Sequence, residues 1–132
     1  MKIAISLLGM LLLAQTAWGG SLVGGPCRYD TVAGTATVVA VTPQTAGNRL
    51  DVTFTFAPEK PITNEPLYVP GKVWHLTLVG GQEPGPHFVQ KYNIRPDTTL
   101  PSRMRVIREG TCTPVVFDFP GIDLTHDPDT QP

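Results

Sequence analysis

Two cysteines constrain this chain more than any other feature of its sequence. Cys27 and Cys112 are the only cysteines among 132 residues, and almost the whole strand-like region lies between them. Neither has a histidine or a second cysteine within a few residues, as a metal site or a CxxC redox pair would require. Pro26 directly before Cys27 does not fit the small-residue site of a lipidated cysteine. We therefore predict a Cys27–Cys112 disulfide, which requires a fold that returns the chain to its starting point.

The first nineteen residues have the features of a secretory signal peptide. Lys2 is followed by an apolar run from Ile3 to Ala14, which is shorter than the roughly 20 residues of a membrane span. Small residues, Ala17 and Gly19, then mark a cleavage site. We expect export to the periplasm or the extracellular space, where disulfides form, and no membrane span after cleavage. An uncleaved N-terminal anchor is the alternative.

Composition indicates one small domain with no strong charge. Without Lys2, nine of the ten Lys and Arg residues stand against eleven Asp and Glu residues. This balance gives no support for binding nucleic acid or an anionic membrane surface. The predicted organisation is a signal peptide (1–19), a linker (20–27), a single β domain (28–119) and a flexible C-terminal tail (120–132), because the tail is acidic and rich in breakers.

Alternation of apolar and polar residues predicts strands along most of the domain. In "RLDVTFTFA" Leu50, Val52, Phe54 and Phe56 fall on one face, which is typical of a half-buried strand. A long Val- and Thr-rich strand precedes it, and the turn residues of "PQTAGN" predict a hairpin between the two. The predicted inward residues of that long strand are Val32, Ala36, Val38 and Ala40, and Gly34 predicts a bulge or bend.

Three further strands and one short helix follow a proline-punctuated loop, Pro58–Pro70. The segment "KVWHLTLVGG" alternates again, with Trp74 inward and His75 outward, and "HFVQKYNI" has helical spacing over about two turns. The remaining strands are "SRMRVIREG" and "CTPVVFDF". Their predicted inward residues are Met104, Val106, Val115, Phe117 and Phe119.

The order of these elements resembles the five-stranded OB-type barrel, which is a small Greek-key barrel. The resemblance covers residues 28–119, lies in element order rather than in a motif, and includes the short helix between strands three and four. It implies an antiparallel pairing of strand four with the start of strand one, which brings Cys27 close to Cys112. The fold class is therefore all-β, with a β-sandwich of the same strands as the alternative.

Chemical motifs give no catalytic residues, no metal ligands and no cofactor site. Phosphate-binding glycine loops and a GxSxG motif are absent from the sequence. The candidate ligand surface consists of His75, Arg103, Arg105 and Tyr68. We expect a non-enzymatic binding or accessory module that recognises a protein or a glycan outside the cytoplasm. The alternatives are an inhibitor or interaction module that uses the Pro58–Pro70 loop, and a small hydrolase with two carboxyl groups in one cleft.

Overall fold

The structure is a computed structural model that describes residues 26–45, 47–63 and 65–130. The predicted signal peptide and residues 20–25 of the predicted linker lie outside the described residues. The elements are β1 (Arg28–Pro43), β2 (Leu50–Pro58), β3 (Trp74–His75), α1 (Pro86–Lys91), β4 (Thr99–Glu109), β5 (Val115–Asp118) and a 3₁₀ turn, Pro128–Thr130.

The five strands form one antiparallel sheet in the order β3-β2-β1-β4-β5. In a flat sheet the two edge strands, β3 and β5, would lie four spacings of about 4.8 Å apart. Instead, the rings of Trp74 on β3 and Phe117 on β5 have centroids 5.0 Å apart. Phe54 on β2 reaches Phe117 at the same distance. The sheet is therefore a curled half-barrel, which confirms the all-β class, and its single sheet differs from the two sheets of a sandwich.

The alternating pattern places apolar side chains on the inner face of this curled sheet. Alternate residues of a strand point to opposite faces, and the predicted inward residues of β2 and β4 are buried except for Leu50, which is half-buried. Segments after β3 and around α1 cover the same core. The buried apolar residues are Ala36, Val38, Val52, Phe54, Phe56, Leu76, Leu78, Phe88, Ile94, Met104, Val106 and Phe119.

The bulge in β1 does not lie where the sequence predicts it. The pairing register with β2 shifts between Val38 and Ala40, rather than at Gly34. Beyond the shift the faces exchange, so Val39 is exposed and Val41 packs against the core in place of Ala40. The extra residue is accommodated there because the opposing β2 residues are already fixed inward by their own pattern.

Gly34 does not form the bulge, but it allows close packing of the Phe56 ring. It pairs with Pro58 on β2 and with Ser102 on β4, so it lies where three strands are side by side. A Cβ atom at Gly34 would lie 2.6 Å from Cζ of Phe56. The absence of a side chain lets the Phe56 ring lie directly over the sheet.

The predicted disulfide is confirmed. Cys27 and Cys112 are bonded, with their Cα atoms 6.2 Å apart. The pairing of β1 with β4 runs to Arg28 opposite Glu109, so the chain brings both cysteines to the same end of the ladder. A disulfide is consistent with an oxidising compartment.

The C-terminal segment packs against α1 and the β1–β2 turn. The carboxylate of Asp129 accepts hydrogen bonds from the backbone N–H groups of His87 and Phe88, at 3.1 and 3.2 Å, and from the His87 ring at 2.6 Å. Asp127 is buried and pairs with Arg49. The flexibility of residues 120–132 stays a prediction. Of the residues described, no helix has the length and apolar character needed to cross a membrane.

Candidate functional site

A groove of about 400 Å³ lies where the two edges of the half-barrel face each other. We call it the seam. One wall is the segment Trp74–Gly81, which contains β3, and the other wall runs along β5 from Thr113 to Phe119, with Leu124 at one end. Its size lies within the range of small ligand sites. The seam is the place where the sheet is left open.

The β3 wall directs backbone groups into the seam. The N–H of Leu76 donates to the carbonyl of Val52 on β2 at 2.8 Å, so Leu76 belongs to a hydrogen-bonded pair. Such pairs alternate along an antiparallel ladder, which directs the N–H and C=O groups of the intervening residues away from the neighbouring strand. The backbone groups of His75 and Thr77 therefore point into the seam.

The β5 wall does the same from the opposite side. The N–H of Ile107 on β4 donates to the carbonyl of Pro114 at 2.9 Å, so these two residues form a hydrogen-bonded pair. The register makes Arg105 and Val116 the next hydrogen-bonded pair. By the same alternation, the backbone groups of Val115 and Phe117 point away from β4 and into the seam. Within the described ranges, these edge groups have no partner strand.

The chain already uses this edge once, at one end of the seam. The N–H of Val79 donates to the carbonyl of Leu124 at 2.9 Å. Val79 follows His75 and Thr77 at intervals of two residues, so its amide has the same orientation. One amide on this side of the seam is therefore satisfied by a carbonyl group of the C-terminal segment.

The floor of the seam is aromatic and its rim is polar. Trp74 and Phe117 meet across the floor, and Nζ of Lys72 lies 4.2 Å from the centre of the Trp74 ring. The His75 side chain is 61% exposed at the rim and pairs with Asp51 at 2.7 Å. This arrangement combines an apolar surface with a few polar groups, as ligand sites usually do.

The four residues of the predicted ligand surface occupy three different places. His75 lies at the rim of the seam, whereas Arg103 and Arg105 lie on the outer face of β4. Arg103 pairs with Asp118 at 2.8 Å, and Arg105 stacks over the ring of Tyr29 at 4.9 Å.

Tyr68 lies elsewhere, since its ring packs on the inner side of the sheet. It meets Phe56 edge-on, with centroids 6.5 Å apart, and belongs to the smaller of two core clusters. The prediction that Tyr68, His75 and the two arginines bind a ligand stays a prediction, but the structure does not bring the four side chains together.

Sequence patterns did not identify the seam because its residues were predicted as ordinary core. Trp74 and Phe117 are inward residues of two separate strands, and nothing local indicates that these strands form opposite sheet edges. Only the central position of β1, paired with both β2 and β4, determines this. A signal did exist in the brevity of the last apolar segment, which became β5, since short strands are frequent at edges.

The proline-rich loop before β3 is anchored near its middle and exposes two apolar side chains. The Glu65 carboxylate, whose side chain is 6% exposed, accepts a hydrogen bond from Arg108 at 2.7 Å. Hydrogen bonds from Arg108 to Asp30 and to Glu65 raise the pKa of the guanidinium above its ordinary value. Leu67 and Val69, on either side of Tyr68, are exposed. This loop is therefore a second surface that a partner could contact.

Comparisons with known proteins place no further constraint on the site. No protein-family model, curated protein or solved structure matches this chain. In the part of the chain that the structure describes, no three His, Cys, Asp or Glu side chains form a group that could hold a metal ion.

Proposed function

We propose that this protein is an exported, non-enzymatic binding module that holds its ligand in the seam. The ligand would be a protein or a glycan outside the cytoplasm. The observation that carries the proposal is the pair of open sheet edges that face each other over the aromatic floor of Trp74 and Phe117. Exposed edges are normally covered or blunted in proteins, so a retained open seam indicates a surface kept for a partner.

The element order supports an OB-like Greek-key barrel that is open at this seam. Joining β3 to β5 would turn the order β3-β2-β1-β4-β5 into a closed five-stranded ring, with α1 between β3 and β4 along the chain. Barrels of this type are often partly open and bind their ligands on one side of the sheet. This likeness supports binding as a function, although fold alone does not determine function.

The second candidate is an inhibitor or interaction module that acts through the Pro58–Pro70 loop. The observation that favours it is the ion pair by which Arg108 holds Glu65 of the loop, together with the exposed side chains of Leu67 and Val69. An ordered loop loses less conformational entropy when it docks than a flexible one. The two functions place the ligand on different surfaces, so single substitutions separate them.

Three exposed valines provide a matched test of these surfaces. Val79 lines the seam and is 70% exposed, Val69 lies in the proline-rich loop and is 52% exposed, and Val39 lies at the β1 bulge and is 48% exposed. Each is changed to glutamate in the full chain. Retention of exported proteins and of an immobilised glycan set is then measured by surface plasmon resonance, with thermal unfolding as the folding control.

The proposal expects Val79→Glu to abolish retention of the ligand, because a buried unpaired carboxylate is costly at an interface. Val39→Glu and Val69→Glu should bind as the unchanged chain does. Loss of binding in Val69→Glu alone would favour the loop function instead. Equal binding by all three folded variants would overturn both placements of the ligand.

A further inference from the structure

We infer that the seam binds an extended polypeptide, which enters as a sixth strand antiparallel to both β3 and β5. This inference rests on the proposed function and specifies its ligand class. It is carried by three properties of the seam: the direction of its two walls, the spacing of their free backbone groups, and the filled aromatic floor.

The direction of the walls follows from the number of strands. Every neighbouring pair in the sheet is antiparallel. Two such steps lead from β1 to β3, and two lead from β1 to β5, so both edges run parallel to β1 and to each other. Five strands cannot close into a ring that is antiparallel throughout, whereas six can. A single inserted chain that runs opposite to β3 and β5 would make every pair antiparallel, which is the more stable type of pairing.

The spacing of the free backbone groups matches an extended chain. His75 and Thr77 present their N–H and C=O groups from one wall, and Val115 and Phe117 present theirs from the other. The two residues on each wall are two positions apart in sequence, which corresponds to about 6.8 Å along an antiparallel strand. A polypeptide strand carries donors and acceptors on both sides at this repeat, and strand addition to an open edge is a common mode of peptide recognition. A glycan has no such regular alternation of amide donors and carbonyl acceptors.

The floor limits the side chains that the inserted strand can carry. The rings of Trp74 and Phe117 already meet at a centroid distance of 5.0 Å, and Phe117 also contacts Phe54 and Phe56. The floor is therefore filled by this chain's own rings, and an inward side chain of the inserted strand would lie on top of them. The inserted strand should have small residues, such as alanine or glycine, at alternate positions, since overpacking a filled core is unfavourable.

The experiment uses the full chain, labelled with ¹⁵N, and four probes. The first probe is a blocked heptapeptide of alternating glutamine and alanine. The second is the same peptide with N-methylated alanines, which removes donors along one edge, and the third has phenylalanine in place of alanine. The fourth probe is cellohexaose. Chemical shifts of the amides at positions 77 and 117 are followed in titrations up to millimolar concentrations, and in Thr77→Pro, which has no amide at position 77, the Phe117 amide alone is followed.

Two variants form a matched pair in the protein itself. Thr77→Pro removes the N–H that points into the seam, whereas Thr77→Ala retains it. Both leave the buried neighbours Leu76 and Leu78 unchanged, and thermal unfolding checks that both fold. If Thr77→Pro does not fold, the N-methylated peptide tests the same hydrogen bonds from the ligand side.

The alanine peptide should shift both amides with one saturation curve. N-methylation and Thr77→Pro should each weaken binding by about tenfold or more, since each removes at least one hydrogen bond. Equal binding of the N-methylated or phenylalanine peptide would overturn the inference. If cellohexaose shifts the two amides and the peptide does not, the inference of a polypeptide ligand is overturned, and the proposed binding function remains. If no probe shifts either amide, the proposed function fails as well.

Discussion

Removal of the disulfide should strongly reduce the stability of this domain. We expect its effect to exceed that of any other double substitution at exposed or half-buried positions. The bond joins residues that are 85 apart in sequence. On the chain-entropy relation, a closed loop of this length lowers the entropy of the unfolded chain by roughly 15 cal/mol/K, or about 4.5 kcal/mol at 25 °C. Cys27 is half-buried and Cys112 is exposed, so replacement of both by serine removes little packing. The double variant therefore isolates the cross-link.

The assay is urea unfolding of the wild type and of the Cys27→Ser/Cys112→Ser variant, followed by circular dichroism. Domains of this kind are stable by about 5–15 kcal/mol, so a loss of about 4.5 kcal/mol would remove roughly a third to nine-tenths of the total. Wild-type protein unfolded in the presence of a thiol reductant is the matched control, and it should coincide with the variant. A difference of less than about 1 kcal/mol between oxidised wild type and variant would refute the entropic reasoning.

Two further substitutions test the packing and the C-terminal contacts. Gly34→Ala should lower the free energy of unfolding by about 1–3 kcal/mol in urea titration, because the added methyl group would collide with the backbone oxygen of Ala57 and lie 2.6 Å from the Phe56 ring; an unchanged midpoint would contradict this close approach. Burial of the Asp129 carboxylate raises its pKa. Hydrogen bonds from the His87 side chain and from the N–H groups of Phe88 and His87 lower the pKa by more than burial raises it, so the net pKa lies below the ordinary value. Its stabilisation is thus present at neutral pH and is lost as the pH falls below about 3.9 and through the folded-state pKa. Asp129→Asn should lower Tm at pH 7 and approach the wild-type Tm in acid, whereas a constant difference in Tm across this range would refute the assignment.

Local patterns in the sequence predict most of the strands because each strand has one buried face. In β2 and β4 the apolar character of each alternate residue predicts whether that residue is buried. The structure buries all five residues of this pattern, namely Val52, Phe54, Phe56, Met104 and Val106. The disulfide was also predictable, because a resemblance in element order brings the end of β4 back to the start of β1. These features depend on short-range periodicity or on the order of elements.

The features that the sequence did not indicate depend on contacts between distant segments. The bulge at Val39 results from the register of β1 against β2, which no local pattern in β1 specifies. Asp129 contacts His87 of α1, although the two residues are 42 positions apart in sequence. Tyr68 looks like an exposed aromatic residue in a proline-rich loop, yet the loop folds back and packs its ring on Phe56.

The seam and the disulfide are linked through the short edge strand β5. With four residues, β5 forms only one ladder, with β4, and a short edge strand held by one ladder opens easily. Cys112 precedes β5 closely and is bonded to the start of β1, and the hydroxyl group of Tyr29 donates to the carbonyl of Thr113 at 2.8 Å. Both contacts fix the beginning of β5 to the central strand. The covalent bond therefore holds one wall of the seam in position, so that its backbone groups are ordered before a ligand arrives and less entropy is lost on binding.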